Sequence, residues 1–166
     1  MQVPVRRGEK RPDPKDPFLT KEKFDELKIK LERLKMTRPR EAMEVKRLAE
    51  MGDFSENAGY QLAKGRLRGL NQRIIDLENH LKTAVIIETD PNIKTIQIGS
   101  RVTLEKGGKQ NIYTILGSTE SDPANSVISY QSPLGAALMG HRVGEKIKLT
   151  LANKEAEYII IGVELK

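Results

Sequence analysis

Phe24-Asp-Glu-Leu27-Lys-Ile-Lys-Leu31-Glu-Arg-Leu34 sets apolar residues alternately three and four positions apart, and the same alternation resumes at Val45 and Leu48. Such a stripe is the seam of a coiled coil rather than the wider apolar face of a globular helix. Leu19-Thr-Lys-Glu22 just ahead of it reads as a helix start. Thr20 caps the first turn, Glu22 suits the positive end of the dipole, and Leu19 and Phe24 form a hydrophobic staple. Arg38 and Glu41 occupy the seam positions beside Pro39, so a kink or irregularity is predicted around residues 37–40.

A second frame runs through Ala63, Leu67, Leu70, Ile74, Leu77, Leu81 and Ala84. Neither stripe is stable against water alone, and Met51-Gly-Asp-Phe-Ser-Glu56 between them is too short to bridge parallel helices. The two helices are therefore expected to pair as an antiparallel hairpin with this segment at its tip. At about 1.5 Å per residue, thirty residues make an arm of roughly 45 Å.

At the tip, Asp53 and Glu56 stand three apart, the spacing of a capping box at the start of the second helix. Two carboxylates at an exposed apex are also able to share a divalent cation, most plausibly Mg²⁺, which favours oxygen ligands and retains waters. Two carboxylates do not complete an octahedral shell, so a metal role would need ligands from a partner. Behind the tip no acid occurs between Asn57 and Ile75, whereas Lys64, Arg66, Arg68 and Arg73 do. At 100° per residue Lys64 and Arg68 fall on one flank of the seam and Arg66 and Arg73 on the other. They suit either a solvated face or contact with a phosphodiester chain.

The chain has 166 residues and a formal charge of +6, with a pI near 9.5. The excess is +2 in residues 1–17, +4 in 18–84 and zero in 85–166, so attraction to polyanions belongs to the first half. Having no cysteine, the chain has no disulfide framework, thiolate metal site or cysteine nucleophile. Apolar runs such as Tyr158 to Ile161 fall far short of the ~18 residues of a membrane span. The amino terminus carries charges but no apolar signal-peptide core, so a cytoplasmic location is expected. Residues 1–17, with Pro4, Pro12, Pro14 and Pro17 among charges, read as a flexible arm.

After Thr83 the pattern shifts to short β-rich runs. Strands are predicted at Ile98 to Glu105, Ile112 to Leu116, Ser126 to Tyr130, Lys146 to Leu151 and Glu157 to Val163, with Lys106-Gly-Gly-Lys109 as a hairpin turn. Pro133 to Met139 reads as a short helix closed by Gly140. The fold class is α+β: a coiled-coil hairpin over 18–84, tip at about 51–58, then a small domain over 85–166. No phosphate-binding glycine loop, nucleophile elbow or metal-ligand cluster occurs. His80 and His141 read as surface residues.

Gly52-Asp-Phe-Ser-Glu-Asn-Ala58 with Tyr60, Ala63 and Lys64 resembles the bacterial transcript cleavage factors, the GreA/GreB family. Ile128-Ser-Tyr-Gln-Ser-Pro-Leu-Gly135, Ala137-Leu-Met-Gly140 and Val143-Gly-Glu145 carry the same resemblance, which covers Phe18 to about Lys166. It implies an FKBP-like carboxy-terminal domain docked on the rim of the secondary channel of bacterial RNA polymerase, with the coiled coil inserted through the channel. It further implies that Asp53 and Glu56 help hold a second Mg²⁺ in the polymerase active site, where a two-metal mechanism cleaves backtracked RNA near its 3′ end. On this reading the factor is no enzyme itself, binds no cofactor stably alone and acts as a monomer. Lys64 is a candidate contact to the RNA, and Ser132 and Pro133 are candidate rim contacts.

The sequence departs from the pattern at Gly59 and Gly65, where many relatives carry Glu, at Ala49, a position often basic, and at Gln131, acidic in some relatives. Two alternatives stand beside this reading. One is a channel-binding relative that inhibits without stimulating cleavage, and the other is an FKBP-like prolyl isomerase or chaperone. The isomerase needs an aromatic-lined pocket, for which residues 85–166 offer only Tyr113, Tyr130 and Tyr158.

Overall fold

A computed structural model describes residues 16–51, 58–92, 94–151 and 154–165. A two-residue strand β1 (Phe18–Leu19) leads into helix α1 (Lys21–Glu50), followed by α2 (Ala58–Thr83) and a second short strand, β2 (Val85–Ile86). Strands β3 (Ser100–Lys106), β4 (Lys109–Leu116), β5 (Val127–Ser129), β6 (Lys146–Leu151) and β7 (Lys154–Leu165), with helix α3 (Pro133–Leu138) between β5 and β6, make the second unit.

Helices α1 and α2 pair antiparallel: Lys35 meets Glu78 at 2.9 Å, while Glu41, further along α1, meets Arg66, further back on α2, at 3.3 Å. The predicted seam supplies the core. Leu27 and Leu31 of α1 and Leu70, Ile74 and Leu77 of α2 are buried with Leu19, and Phe24, Leu34, Leu81 and Ala84 pack against them. Each such side chain contributes roughly 1.5–3 kcal/mol through lost contact with water. Toward the tip the packing thins: Val45 and Leu48 are only half-buried and Arg38 is exposed. The Glu41 to Arg66 ion pair crosses where the apolar seam lapses. Helix α1 is a single 30-residue element with Pro39 inside it, so the expected irregularity at 37–40 does not interrupt it. The Thr37 hydroxyl donates to the Arg33 carbonyl at 2.9 Å just before the proline.

The sheet runs in the order β5-β4-β3-β7-β6. All its pairs are antiparallel except β4 with β5, which are parallel. The β3–β4 turn places Gly107 at φ +56° and Gly108 at +76°, the two consecutive positive values that the hairpin turn demands and that glycine adopts without steric cost. Val102, Leu104, Ile115, Ile147 and Ile160 from four strands, with Leu138 of α3 and Ile96, form a second core separate from that of the hairpin.

The two units meet at a dense polar joint. Strand β1 pairs parallel with β2, so both ends of the hairpin are tied together. Asp16, assigned from the sequence to the flexible arm, is instead buried. Its carboxylate accepts the Phe18 N–H at 3.0 Å and the Ser118 N–H at 2.7 Å. His80 is only 5% exposed, and its Nε2 lies 3.1 Å from the Asp16 carbonyl. The expectation of a surface histidine is therefore corrected: position 80 follows Leu77 by three residues, onto the face that the incoming chain covers. Glu120 accepts both the N–H and the hydroxyl of Thr20, and the Phe18 and Tyr130 rings meet edge to face with centroids 5.5 Å apart.

Candidate functional site

The four basic residues predicted to touch RNA lie on α2, and all are exposed. Every core position on this helix is used by the seam, so the remaining positions between Ala63 and Ile74 point outward. Lys64 sits with its Nζ 5.7 Å from the centre of the Tyr60 ring, a cation–π contact. Arg66 is committed in part to Glu41 on α1. Arg73 turns its Nε to the Gly69 carbonyl one turn back, at 3.3 Å. Arg68 completes the group on the Lys64 flank.

These charges therefore flank a narrow helical rod on two sides rather than converging on one point. A rod carrying cations on both flanks is able to neutralise phosphates that run alongside it. It is not able to fold around a small anion.

Asp53 and Glu56, the candidate tip acids, lie outside the described residues. The described helices end at Glu50 and begin again at Ala58. Any Mg²⁺ held there would be bound by these two carboxylates and by groups from elsewhere. Among the described residues no cluster of three or more His, Asp or Glu is arranged to hold a metal.

Ser132 caps α3. Its Oγ accepts the Gly135 N–H at 3.0 Å and donates to the Ser129 carbonyl at 2.6 Å, so the hydroxyl is engaged within the fold. Pro133, at the first turn, is exposed. Gly135 is required beneath the cap, because a Cβ there would lie 2.1 Å from the Ser129 carbonyl oxygen. Ser129 is buried and its hydroxyl lies 2.8 Å from that of Ser118. The Ser129 to Gly135 segment is thus bound to the same joint that anchors the arm.

The three tyrosines of the second unit all border its one core. Tyr113 and Tyr158 pack against the sheet core and Tyr130 packs on Phe18.

Charged groups in three close pairs are perturbed by their partners. Arg47 grips Glu44 through two bonds of 2.9 and 2.8 Å and holds that carboxyl below its ordinary range. The hydrogen bond from His141 does the same to Glu145. Glu78 raises Lys35. All three are surface pairs, worth little in stability on their own.

Sequence reasoning missed the residues of the joint: Asp16, His80, Glu120 and Gly117, where a Cβ would lie 2.1 Å from the Phe18 carbonyl oxygen. Only Gly117 left a signal, a glycine between a strand and a polar turn, and its partner lies about a hundred positions away in the chain.

A two-helix arm joined by hydrogen bonds to a separately cored sheet domain defines a two-part α+β protein. Residues 17–86 match the family described as transcription elongation factor, N-terminal, and residues 90–165 match transcription elongation factor, GreA/GreB, C-term. The chain is 40% identical over 138 residues to transcription elongation factor GreA of Macrococcus caseolyticus, covering 81% of this chain and 87% of that one. It is 37% identical over 153 residues to GreA of Clostridioides difficile, covering 90% and 96%. The crystal structure of GreA factor homolog 1 of Thermus thermophilus superposes with a TM-score of 0.42 at 28% identity, covering 90% of this chain and 99% of that one. The chain belongs to the GreA/GreB family of transcription elongation factors.

Proposed function

We propose that this protein binds bacterial RNA polymerase in the cytoplasm as a monomer, passes its hairpin through the secondary channel and stimulates the polymerase's own cleavage of backtracked RNA near the 3′ end. The observation that carries the proposal is the placement of Asp53 and Glu56 in the short connection between the far ends of two long paired helices, in a member of this family. About 45 Å of helix separates that connection from the sheet domain. The two carboxylates would complete the coordination of a Mg²⁺ that the polymerase holds in part, which explains why two acids suffice. Such an ion would supply an activated water and neutralise charge on the phosphate.

Lys64 and Arg68 on one flank and Arg66 and Arg73 on the other would neutralise the phosphates of the extruded 3′ segment. Pro133 offers an exposed rim contact, with Ser132 fixing the turn that presents it. On this reading the active site is the polymerase's own. Retention of both acids favours stimulation over simple obstruction of the channel. Tyr113, Tyr130 and Tyr158 are engaged with the sheet core, and Tyr130 with Phe18, which gives no support to a prolyl isomerase.

The test is to incubate stalled, backtracked polymerase complexes with the protein and Mg²⁺ and to resolve the RNA by length. Shortened RNA above the level given by polymerase alone is expected. Asp53→Asn and Glu56→Gln should abolish the gain while still competing with wild type for polymerase. No gain from wild type would sink the reading, and full activity in both variants would sink the role given to the tip acids.

A further inference from the structure

The outer face of α1 carries a pattern that the hairpin core does not use. Ile29, Arg33, Met36, Arg40, Met43, Arg47 and Met51 follow one another at steps of three or four, alternating without exception between an apolar side chain and an arginine. At 100° per residue they stay within a strip roughly 80° wide, on the side of the helix opposite Leu27, Leu31 and Leu34. Each of the seven is exposed. The apolar members stand out even for surface residues: Met36 is 80% exposed, Met43 71%, Met51 68% and Ile29 55%. A groove of about 980 Å³ opens around this part of α1 and reaches Arg66 of α2; Met36, Met43, Arg40 and Arg47 line it, with Glu41, Glu44 and Glu50 at its borders.

A solvated face has no use for four large apolar side chains in register, and single exposed methionines would not recur at this spacing. None of the seven strip residues is acidic, and of the glutamates that border them Glu44 is already paired with Arg47. Arg47 is held by Glu44, whose carboxylate also feels the charge of Arg40 at longer range, while Arg33 makes no side-chain hydrogen bond or ion pair with any described residue.

We propose that this strip is a second seam that docks an acidic amphipathic helix of the polymerase, on the wall of the channel that receives the arm. The inference rests on the channel-insertion reading above. Charge and spacing select the occupant. The arginines recur every seven residues, about 10.5 Å along the axis, which is also the heptad repeat of a partner helix. One carboxylate per heptad of that helix would meet each arginine, and its apolar seam would close over the methionines, whose flexible side chains adapt to such surfaces. A second copy of this chain would oppose arginine with arginine. A nucleic acid would satisfy the arginines and leave the methionines in water.

The test measures binding of the full-length protein to core RNA polymerase by competition with labelled wild type. Two pairs of variants are compared: Met36→Ser with Met43→Ser, and Arg33→Gln with Arg40→Gln. Each pair is expected to weaken binding about tenfold, the scale of losing buried contacts at an interface, and only the arginine pair should flatten the salt dependence. Circular dichroism should show unchanged helix in both, since all four side chains are exposed.

Undiminished binding by both pairs overturns the docking seam while leaving the cleavage reading intact. If wild type itself fails to bind polymerase, both fall together. If the arginine pair alone weakens binding, and does so equally for a single-stranded RNA 20-mer, the strip is a phosphate contact and the proposal is wrong. Concentration-dependent dimers of wild type in sedimentation, lost in the methionine pair, would also overturn it.

Discussion

The carboxylate of Glu120 accepts two hydrogen bonds from one residue, Thr20: the backbone N–H at 2.7 Å and the hydroxyl at 2.6 Å. Thr20 is at the same time the N-cap of α1, its Oγ1 receiving the Lys23 N–H at 3.2 Å. One side chain thus starts the arm and fastens it to the sheet domain. Glu120→Gln keeps the size of the group but removes its charge and offers one acceptor oxygen to two donors. A loss of about 1–2 kcal/mol is expected, measurable as a lower denaturation midpoint. A midpoint unchanged from wild type would show that the clasp carries no weight.

Gly117 is the steric counterpart of that clasp. A Cβ at this position would lie 2.1 Å from the Phe18 carbonyl oxygen and 3.1 Å from its carbon. Neither atom can move without disturbing the β1–β2 pairing, because Pro17 and Leu19 on either side accept the Val85 and Ile87 N–H groups at 2.7 and 2.8 Å. Gly117→Ala is expected to destabilise by about 1–3 kcal/mol, the usual range for overpacking. It should also expose the interdomain joint to limited proteolysis before either core unfolds.

Gly65 and Gly69 are opposite in kind. Both sit on the exposed side of α2, and a Cβ at either meets nothing within 4 Å. Glycine inside a helix costs about 1 kcal/mol relative to alanine through its extra freedom in the unfolded chain. Gly65→Ala and Gly69→Ala should therefore each raise the melting temperature, additively if the helix responds locally. A fall in either case would mean that α2 needs a softness here that the contacts do not reveal.

How much of this was legible depended on range along the chain. The hairpin was readable because its seam is local: Leu27 to Leu34 and Leu70 to Leu77 repeat within a few residues, and a short connection leaves one topology. The β3–β4 turn was readable for the same reason, through Gly107 and Gly108. Strand ends were less so, since β7 extends from Lys154 to Leu165, beyond the apolar run that announced it, by pairing with two neighbours. The joint was not readable at all. Asp16 looks like one more charge in a proline-rich arm until Ser118, about a hundred residues later, presents its amide. His80 looks solvated until that same arm covers it. The outer strip of α1 was present in the sequence as a clean alternation, but a period that matches the seam is easily counted as part of it until burial separates the two faces. Of the candidate site, the basic residues of α2 were placed on their flanks by periodicity alone, whereas the commitment of Arg66 to Glu41 required the second helix.

Acid should weaken the fold through two surface carboxyls in particular. Glu44 is held below the ordinary carboxyl value of 4.5 first by its hydrogen bonds from Arg47, and Glu145 first by its hydrogen bond from His141. A carboxyl whose folded value is depressed binds protons more readily in the unfolded chain, so its contribution is present above 4.5 and is lost as pH falls through the lower, folded value. The melting temperature of wild type should thus decline on acidification below that point. With Glu44→Gln and Glu145→Gln combined, the decline should be shallower, because both replacements are neutral throughout. The effect is expected to be small and to shrink further in high salt, since the pairs are open to solvent. Melting curves of the two proteins at matched ionic strength from neutral pH down to about pH 3 compare the slopes directly. Parallel slopes would show that neither contact persists in solution.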